Sequence, residues 1–153
     1  YGGSLENRMR LPLEVAARVR HAVPDDLPVF VRISATDWVE GGWDADGSVE
    51  LACRLKAAGV DLIDVSSGAL TPRATIPVGK GYQVPFARRI RAEAGVPTAA
   101  VGMIADPRHA DEVVTGGDAD LVLVGRELLR DPHWAIKAQQ ELGEDPSWPT
   151  PYG

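Results

Sequence analysis

Leu121-Val122-Leu123-Val124-Gly125-Arg126-Glu127-Leu128-Leu129-Arg130-Asp131-Pro132 is the stretch from which the fold can be read. Residues 121–124 form an unbroken apolar run of the length of a strand buried on both faces. Gly125 follows at once, and a residue without a Cβ lets the backbone come close to a ligand. Arg126 adds a fixed positive charge on a forked donor. Residues 127–129 read as a short helix whose free N–H groups point back toward Gly125. A strand, a glycine turn, an arginine and a helix start together make an anion site, most naturally for a phosphate. The plainer alternative is that Gly125 only ends a strand and Arg126 is a surface charge.

The same unit recurs upstream. Ala58-Gly59-Val60-Asp61-Leu62, Ala94-Gly95-Val96-Pro97 and Gly117-Asp118-Ala119-Asp120-Leu121 each lead from the end of a helix into an apolar strand. Strands are expected over 29–34, 60–65, 97–101 and 121–124. The first helix runs from a Ser4 cap toward Val23, with Pro12, Val15, Ala16, Val19, Ala22 and Val23 on its inward face. Pro12 should kink it or mark its regular start, and Glu14 should pair with Arg18. The second helix is expected over 48–58, capped by Asp46 or Ser48, with Cys53 as a small core residue. Further helices are expected over 84–94, after Asp106-Pro107 with Ala110, Val113 and Val114 buried, and from Asp131-Pro132 through Leu142. Units of this kind build parallel sheets, open or closed. The G-x-G-x-x-G pattern of open dinucleotide-binding sheets is absent, and a phosphate site on two successive late strands is a barrel habit. A barrel needs eight units and about 250 residues. This chain offers four strands in 153 residues. The expectation is therefore a single partial domain over 1–153: the C-terminal half of a (β/α)8 TIM barrel, four parallel strands alternating with helices, with a Pro-rich tail over 143–153.

Composition narrows the function. The chain is 44% hydrophobic and 25% charged, as soluble globular domains are, and its net charge of −6 speaks against nucleic acid or acidic lipid as a partner. No apolar run is long enough for a membrane span. The single Cys53 rules out an internal disulfide and fits a reducing, cytoplasmic setting. Asp44-Ala45-Asp46-Gly47 lacks the acid spacing of a calcium loop, so no metal site is expected. His21, His109 and His133 fall in helical segments, at solvent or cap positions. Arg32 sits inside the apolar run Val29-Phe30-Val31-Arg32-Ile33-Ser34. It needs a partner there, unless this is an edge strand with Arg32 in solvent. Tyr1-Gly2-Gly3-Ser4 is polar and no signal peptide; without an initiator methionine it suggests a processed chain or an excised fragment.

Several motifs then fall in order: Tyr1-Gly2-Gly3-Ser4-Leu5-Glu6-Asn7-Arg8, Phe30-Val31-Arg32-Ile33-Ser34, residues 59–68 ending in Val65-Ser66-Ser67-Gly68, Ala100-Val101-Gly102-Met103-Ile104, and the opening stretch from Gly125. This succession resembles the old yellow enzyme family of FMN-dependent ene-reductases over nearly the whole chain. Ser66-Ser67-Gly68-Ala69 and Gly81-Tyr82-Gln83-Val84 are most similar to its bacterial NADPH dehydrogenase and xenobiotic reductase branch. The resemblance implies a closed (β/α)8 barrel with FMN at the C-terminal ends of the strands and NADPH or NADH as reductant. Hydride would pass to the flavin and then, in a second half-reaction, to an activated alkene of the enone type. It implies that Arg32 lies by the flavin N1–C2=O edge and stabilises the negative charge of reduced flavin. It likewise implies that Val101-Gly102 and Gly125-Arg126 hold the FMN phosphate.

The family's substrate-binding His pair and proton-donor Tyr precede the Tyr-Gly-Gly-Ser motif. No catalytic residue is therefore expected within the chain; those groups are expected upstream of Tyr1, and the chain alone is expected to be inactive. An arginine finger after Tyr152-Gly153 cannot be assigned. The full protein is expected to be a homo-oligomer. The rival expectation is a non-catalytic half-barrel module that binds a phosphorylated ligand or self-assembles into a pseudo-barrel through its two sheet edges.

Overall fold

A computed structural model describes residues 1–146 and 148. Tyr152 and most of the expected tail therefore lie outside the described residues. The chain alternates helix and strand: α1 (Leu5–Ala22), β1 (Phe30–Ser34), α2 (Ala45–Ala57), β2 (Leu62–Ser66), α3 (Val84–Ala94), β3 (Thr98–Val101), α4 (Pro107–Thr115), β4 (Leu121–Leu123), α5 (Arg126–Arg130) and α6 (Trp134–Glu141).

All four strands are parallel and lie in the order β1-β2-β3-β4. Sequential order without a reversal is the habit of a barrel wall; a doubly wound sheet reverses at its centre. The register fixes the two faces. Ile33 pairs with Val65 and Val65 with Ala100, while Ile63 pairs with Thr98. Ile33, Ile63, Val65 and Ala100 are buried in one cluster with Met9 and Ala16 of α1, Leu51 and Leu55 of α2, Ile90 of α3 and Val113 of α4, and Thr98 is buried too. One shared cluster puts these helices on one face of the sheet, as in half of a (β/α)8 barrel. The opposite face carries Phe30 beside Leu62, Arg32 beside Asp64, Ser34 beside Ser66, and then Ala99 beside Leu121 and Val101 beside Leu123. Among the described residues nothing covers the ends of that face: Phe30 is 56% exposed and Leu121 45%. β1 and β4 are both edges.

Several local expectations are corrected. α1 starts under the expected Ser4 cap, which accepts from the Asn7 N–H, but it runs through Pro12 without a break. Its buried residues are Met9 and Ala16, while Val15 and Val19 are 51% and 41% exposed. These two belong to a second stripe, with Leu11, that faces the open flank of β1 along a groove against Phe30. Glu14 accepts from the Tyr1 hydroxyl at 3.1 Å and makes no pair with Arg18. α2 begins at Ala45, capped by Asp44, whose carboxylate accepts from the Gly47 N–H at 2.8 Å. Ser48 cannot cap because its Oγ donates to the Ala35 carbonyl at 2.8 Å and accepts from Trp43 Nε1 at 2.6 Å. Cys53 is only half-buried at the margin of the core. Val114 is 39% exposed, so α4 buries Ala110 and Val113 alone. Asp131 ends α5; its carboxylate accepts from the His133 N–H, and α6 starts at Trp134. His21 and His133 are exposed, but His109 is half-buried against Gly81. Among the described residues no helix is long and apolar enough to cross a membrane.

Candidate functional site

The C-terminal ends of the four strands open into one cleft of about 580 Å³. Strands sit about 4.8 Å apart, so a cleft reaching from the first strand to the fourth is roughly 14 Å long. Arg32 stands at the β1 end, Val101 and Gly102 in the middle, and Gly125 and Arg126 at the β4 end. The structure thus brings Arg32, Val101, Gly102, Gly125 and Arg126 to one cleft.

Both readings of Arg32 hold a part of the answer. It lies on an edge strand with its side chain 59% exposed, and it has a partner: Nη1 is 3.2 Å from Asp64 Oδ2 on β2. Register places these two residues directly opposite each other. The Asp64 side chain is only 17% exposed. Burial pushes its carboxyl above the ordinary carboxylate range, and the Arg32 guanidinium pulls the other way. Asp64 Oδ1 is buried and has no hydrogen-bond partner among the described residues.

The middle of the cleft is built from unusual backbone. Gly102 has φ +124° and Met103, with a side chain, has φ +53°. Ala69, on the loop after β2, has φ +65°. L-residues held at positive φ cost about 1–3 kcal/mol each and gather where a site constrains the chain. A Cβ at Gly102 would stand 2.8 Å from Gln83 Nε2 and 3.0 Å from the Tyr82 ring. Glycine is thus required there for both conformation and space. Gly125 differs: its φ is −99°, and a Cβ there would meet nothing within 4 Å. Its lack of a side chain leaves room in the cleft.

Arg126 opens the five-residue α5, is exposed and, among the described residues, has no acidic partner. Arg130, one turn on, is bound to Glu127. Arg126 is therefore an uncompensated cation at one end of a cleft whose other end holds a half-compensated one.

Sequence reasoning missed what sets these groups in place. Gln83 is 3% exposed. Its Nε2 donates to the Val101 carbonyl at 2.8 Å, and its Oε1 accepts from Ser67 Oγ at 2.8 Å. Ser67 Oγ in turn accepts from Trp38 Nε1 at 3.0 Å. This chain of hydrogen bonds ties the loops after β1 and β2 to the end of β3. A glutamine just ahead of the apolar face of α3 was the available signal, but its partners lie 16 and 18 residues away. Among the described residues no cluster of His, Cys, Asp or Glu could hold a metal ion.

Comparison with known proteins gives this arrangement a context. Residues 1–145 match the model of the NADH:flavin oxidoreductase / NADH oxidase family. An NADPH dehydrogenase of Geobacillus thermodenitrificans is 51% identical over 152 residues, which is 99% of this chain and 44% of that protein. The chain spans about 44% of the length of the first curated relatives it matches. The solved complex of 2-naphthoyl-CoA reductase with 2-naphthoyl-CoA superposes with a TM-score of 0.79 at 28% identity, covering 94% of this chain and 22% of the other. D-glucarate dehydratase from Agrobacterium tumefaciens, at 15% identity and a TM-score of 0.60, covers 90% of this chain and 32% of the other and shares the fold alone.

Proposed function

The chain belongs to the NADH:flavin oxidoreductase / NADH oxidase family, and from that premise we propose that it is the FMN-phosphate side of an NAD(P)H-dependent flavin oxidoreductase that reduces activated alkenes. The observation that carries this is the convergence of Arg32, Val101, Gly102, Gly125 and Arg126 on one cleft with positive charge at both ends.

The residues present fit FMN. Gly102 lines the cleft with its backbone packed against Gln83 and Tyr82, and Gly125 leaves open space beside Arg126. Arg126, unpaired among the described residues, supplies a forked donor of the kind that binds a phosphate bidentately. Arg32, on the far strand, would face the electron-accepting edge of the ring system, where negative charge develops on reduction. Bound FMN supplies the hydride chemistry. The chain's own residues bind the phosphate, orient the ring system and present Arg32 to its developing charge. NADPH or NADH is the proposed reductant and an enone-type small molecule the proposed acceptor, with the full protein a homo-oligomer. The relatives' name, NADPH dehydrogenase, supports the reductant, and the family description supports the flavin.

The test is titration of FMN into the full-length protein and its Arg126→Ala variant, with Arg18→Ala on the outside of α1 as control. Weaker binding in the first variant alone is expected. An unchanged dissociation constant in Arg126→Ala would reduce that residue to a surface charge. The rival reading, a non-catalytic half-barrel that binds some other phosphorylated ligand or self-assembles into a pseudo-barrel, shares the cleft. It predicts no bleaching of bound flavin when NADPH is added anaerobically.

A further inference from the structure

We propose that Asp64 is a positioning residue that sets how much of the Arg32 charge reaches the cleft; this rests on the flavin reading above. Asp64 does not line the cleft. It lies beside Arg32 on the neighbouring strand, at the same register position, 3.2 Å from its guanidinium. Its neighbour on the other side, Ala99 of β3, offers no charge. The other carboxylate oxygen is buried and unpartnered among the described residues, so Arg32 is the single cation that answers this carboxylate. Burial opposes the charged form of Asp64, and Arg32 favours it. The carboxylate in return cancels part of the field that Arg32 projects upward, since two opposite charges in contact look like a dipole from a distance. The pair also fixes the direction of a side chain that is otherwise more than half exposed.

These two effects separate by substitution. Asp64→Asn keeps an acceptor oxygen for Arg32 and removes the negative charge. In the FMN-loaded full-length protein this variant is expected to raise the flavin midpoint potential. The shift corresponds to reduced flavin binding more tightly relative to oxidised flavin, by roughly tenfold. Arg32→Met is expected to lower the potential, and Asp64→Asn added to Arg32→Met is expected to have little further effect, because Asp64 acts through Arg32. Asp64→Ser gives the same reading if the amide variant does not accumulate. If Arg32→Met lowers the potential while Asp64→Asn leaves or lowers it, the role given to Asp64 is wrong and the flavin reading stands. An upward shift of equal size with and without Arg32 would show direct action on the flavin and overturn the positioning role. If neither variant moves the potential, Arg32 is not at the flavin, and both readings fall at that end of the cleft.

Discussion

The two ends of the sheet use the same residue types in opposite ways. At the N-terminal end, Asp61 and Asp120 stand just before β2 and β4. The Asp61 carboxylate accepts from the Val29 N–H at 2.7 Å and its own N–H donates to the Val29 carbonyl at 2.9 Å. Asp120 repeats this with Thr98, at 2.9 and 2.8 Å. Each carboxylate then meets an arginine from a helix: Arg20 of α1 at 3.5 Å and Arg91 of α3 at 3.0 Å. Every charge in these clusters has an answering charge. At the C-terminal end Arg126 has none among the described residues, Arg32 has half of one, and Ala69 and Met103 are held at positive φ. Closed polar clusters fasten strands to each other; open charges and strained backbone are what a ligand can complete. The contrast between a stabilising face of closed clusters and a face of open charges is thus visible in half the strands of a barrel.

The comparison is easiest to break at its two strongest points. Arg126→Ala is expected to weaken FMN binding by about 1.5–3 kcal/mol, the worth of a charge-assisted contact, while the melting temperature of the FMN-free protein stays where it was. Isothermal titration and thermal unfolding check the two halves. Asp120→Ala should do the reverse. It strips the acceptor from the Thr98 N–H and from Arg91, so about 1–3 kcal/mol of folding stability should go, with the dissociation constant for FMN unmoved in urea-free buffer. A large loss of FMN affinity with intact stability at Asp120 would erase the distinction between the ends.

The glycines sharpen it further. Gly102→Ala forces a Cβ onto Gln83 and Tyr82 at φ +124° and should cost about 1–2 kcal/mol of stability. Gly125→Ala has a permissive φ and open space, so chemical denaturation should show no change. Any weakening of FMN binding in that variant then reports crowding of the ligand alone.

The smallest effect is in acid. The Arg91 hydrogen bond, with the Thr98 N–H assisting, holds the Asp120 carboxyl below its ordinary value. A carboxyl depressed in the folded state adds stability that is complete above its unfolded pKa of about 3.9 and is lost as pH falls through the depressed folded value. The stability difference between wild type and Asp120→Asn should therefore be constant at neutral pH and shrink below about pH 4. A difference that grows on acidification would contradict the assigned pairing.

How much of this could be read from the chain alone depends on the distance between partners. Apolar runs such as 121–124 and glycine stops such as Gly95 announce themselves locally, and the strands and helices follow from them. Arg32 and Arg126 drew notice because a charge inside or beside an apolar strand is costly without a purpose. Sequence alone misplaces the start of α2 because Asp44, Asp46 and Ser48 all suit a cap; Ser48 is withdrawn only by its bonds to Ala35 and Trp43. Val15, Val19 and Val114 have the periodicity of buried residues, and whether they are covered depends on neighbours outside their own helices. The roles of Asp64 and Gln83 cannot be read from the chain for the same reason. Their roles exist only once strands 32 residues apart lie side by side or a loop folds back onto β3.

The bond from Trp38 to Ser67 has an optical consequence. The indole is fixed by its N–H at one end and by an edge-on contact with Phe86, ring centroids 5.4 Å apart, at the other. Through Ser67 and Gln83 it is connected to the Val101 carbonyl at the middle of the cleft. Indole emission responds to the polarity and rigidity of its surroundings. A ligand that displaces the Gly102 backbone is therefore expected to change the emission of Trp38, one of the four tryptophans of the chain, a native fluorophore hydrogen-bonded toward its own cleft.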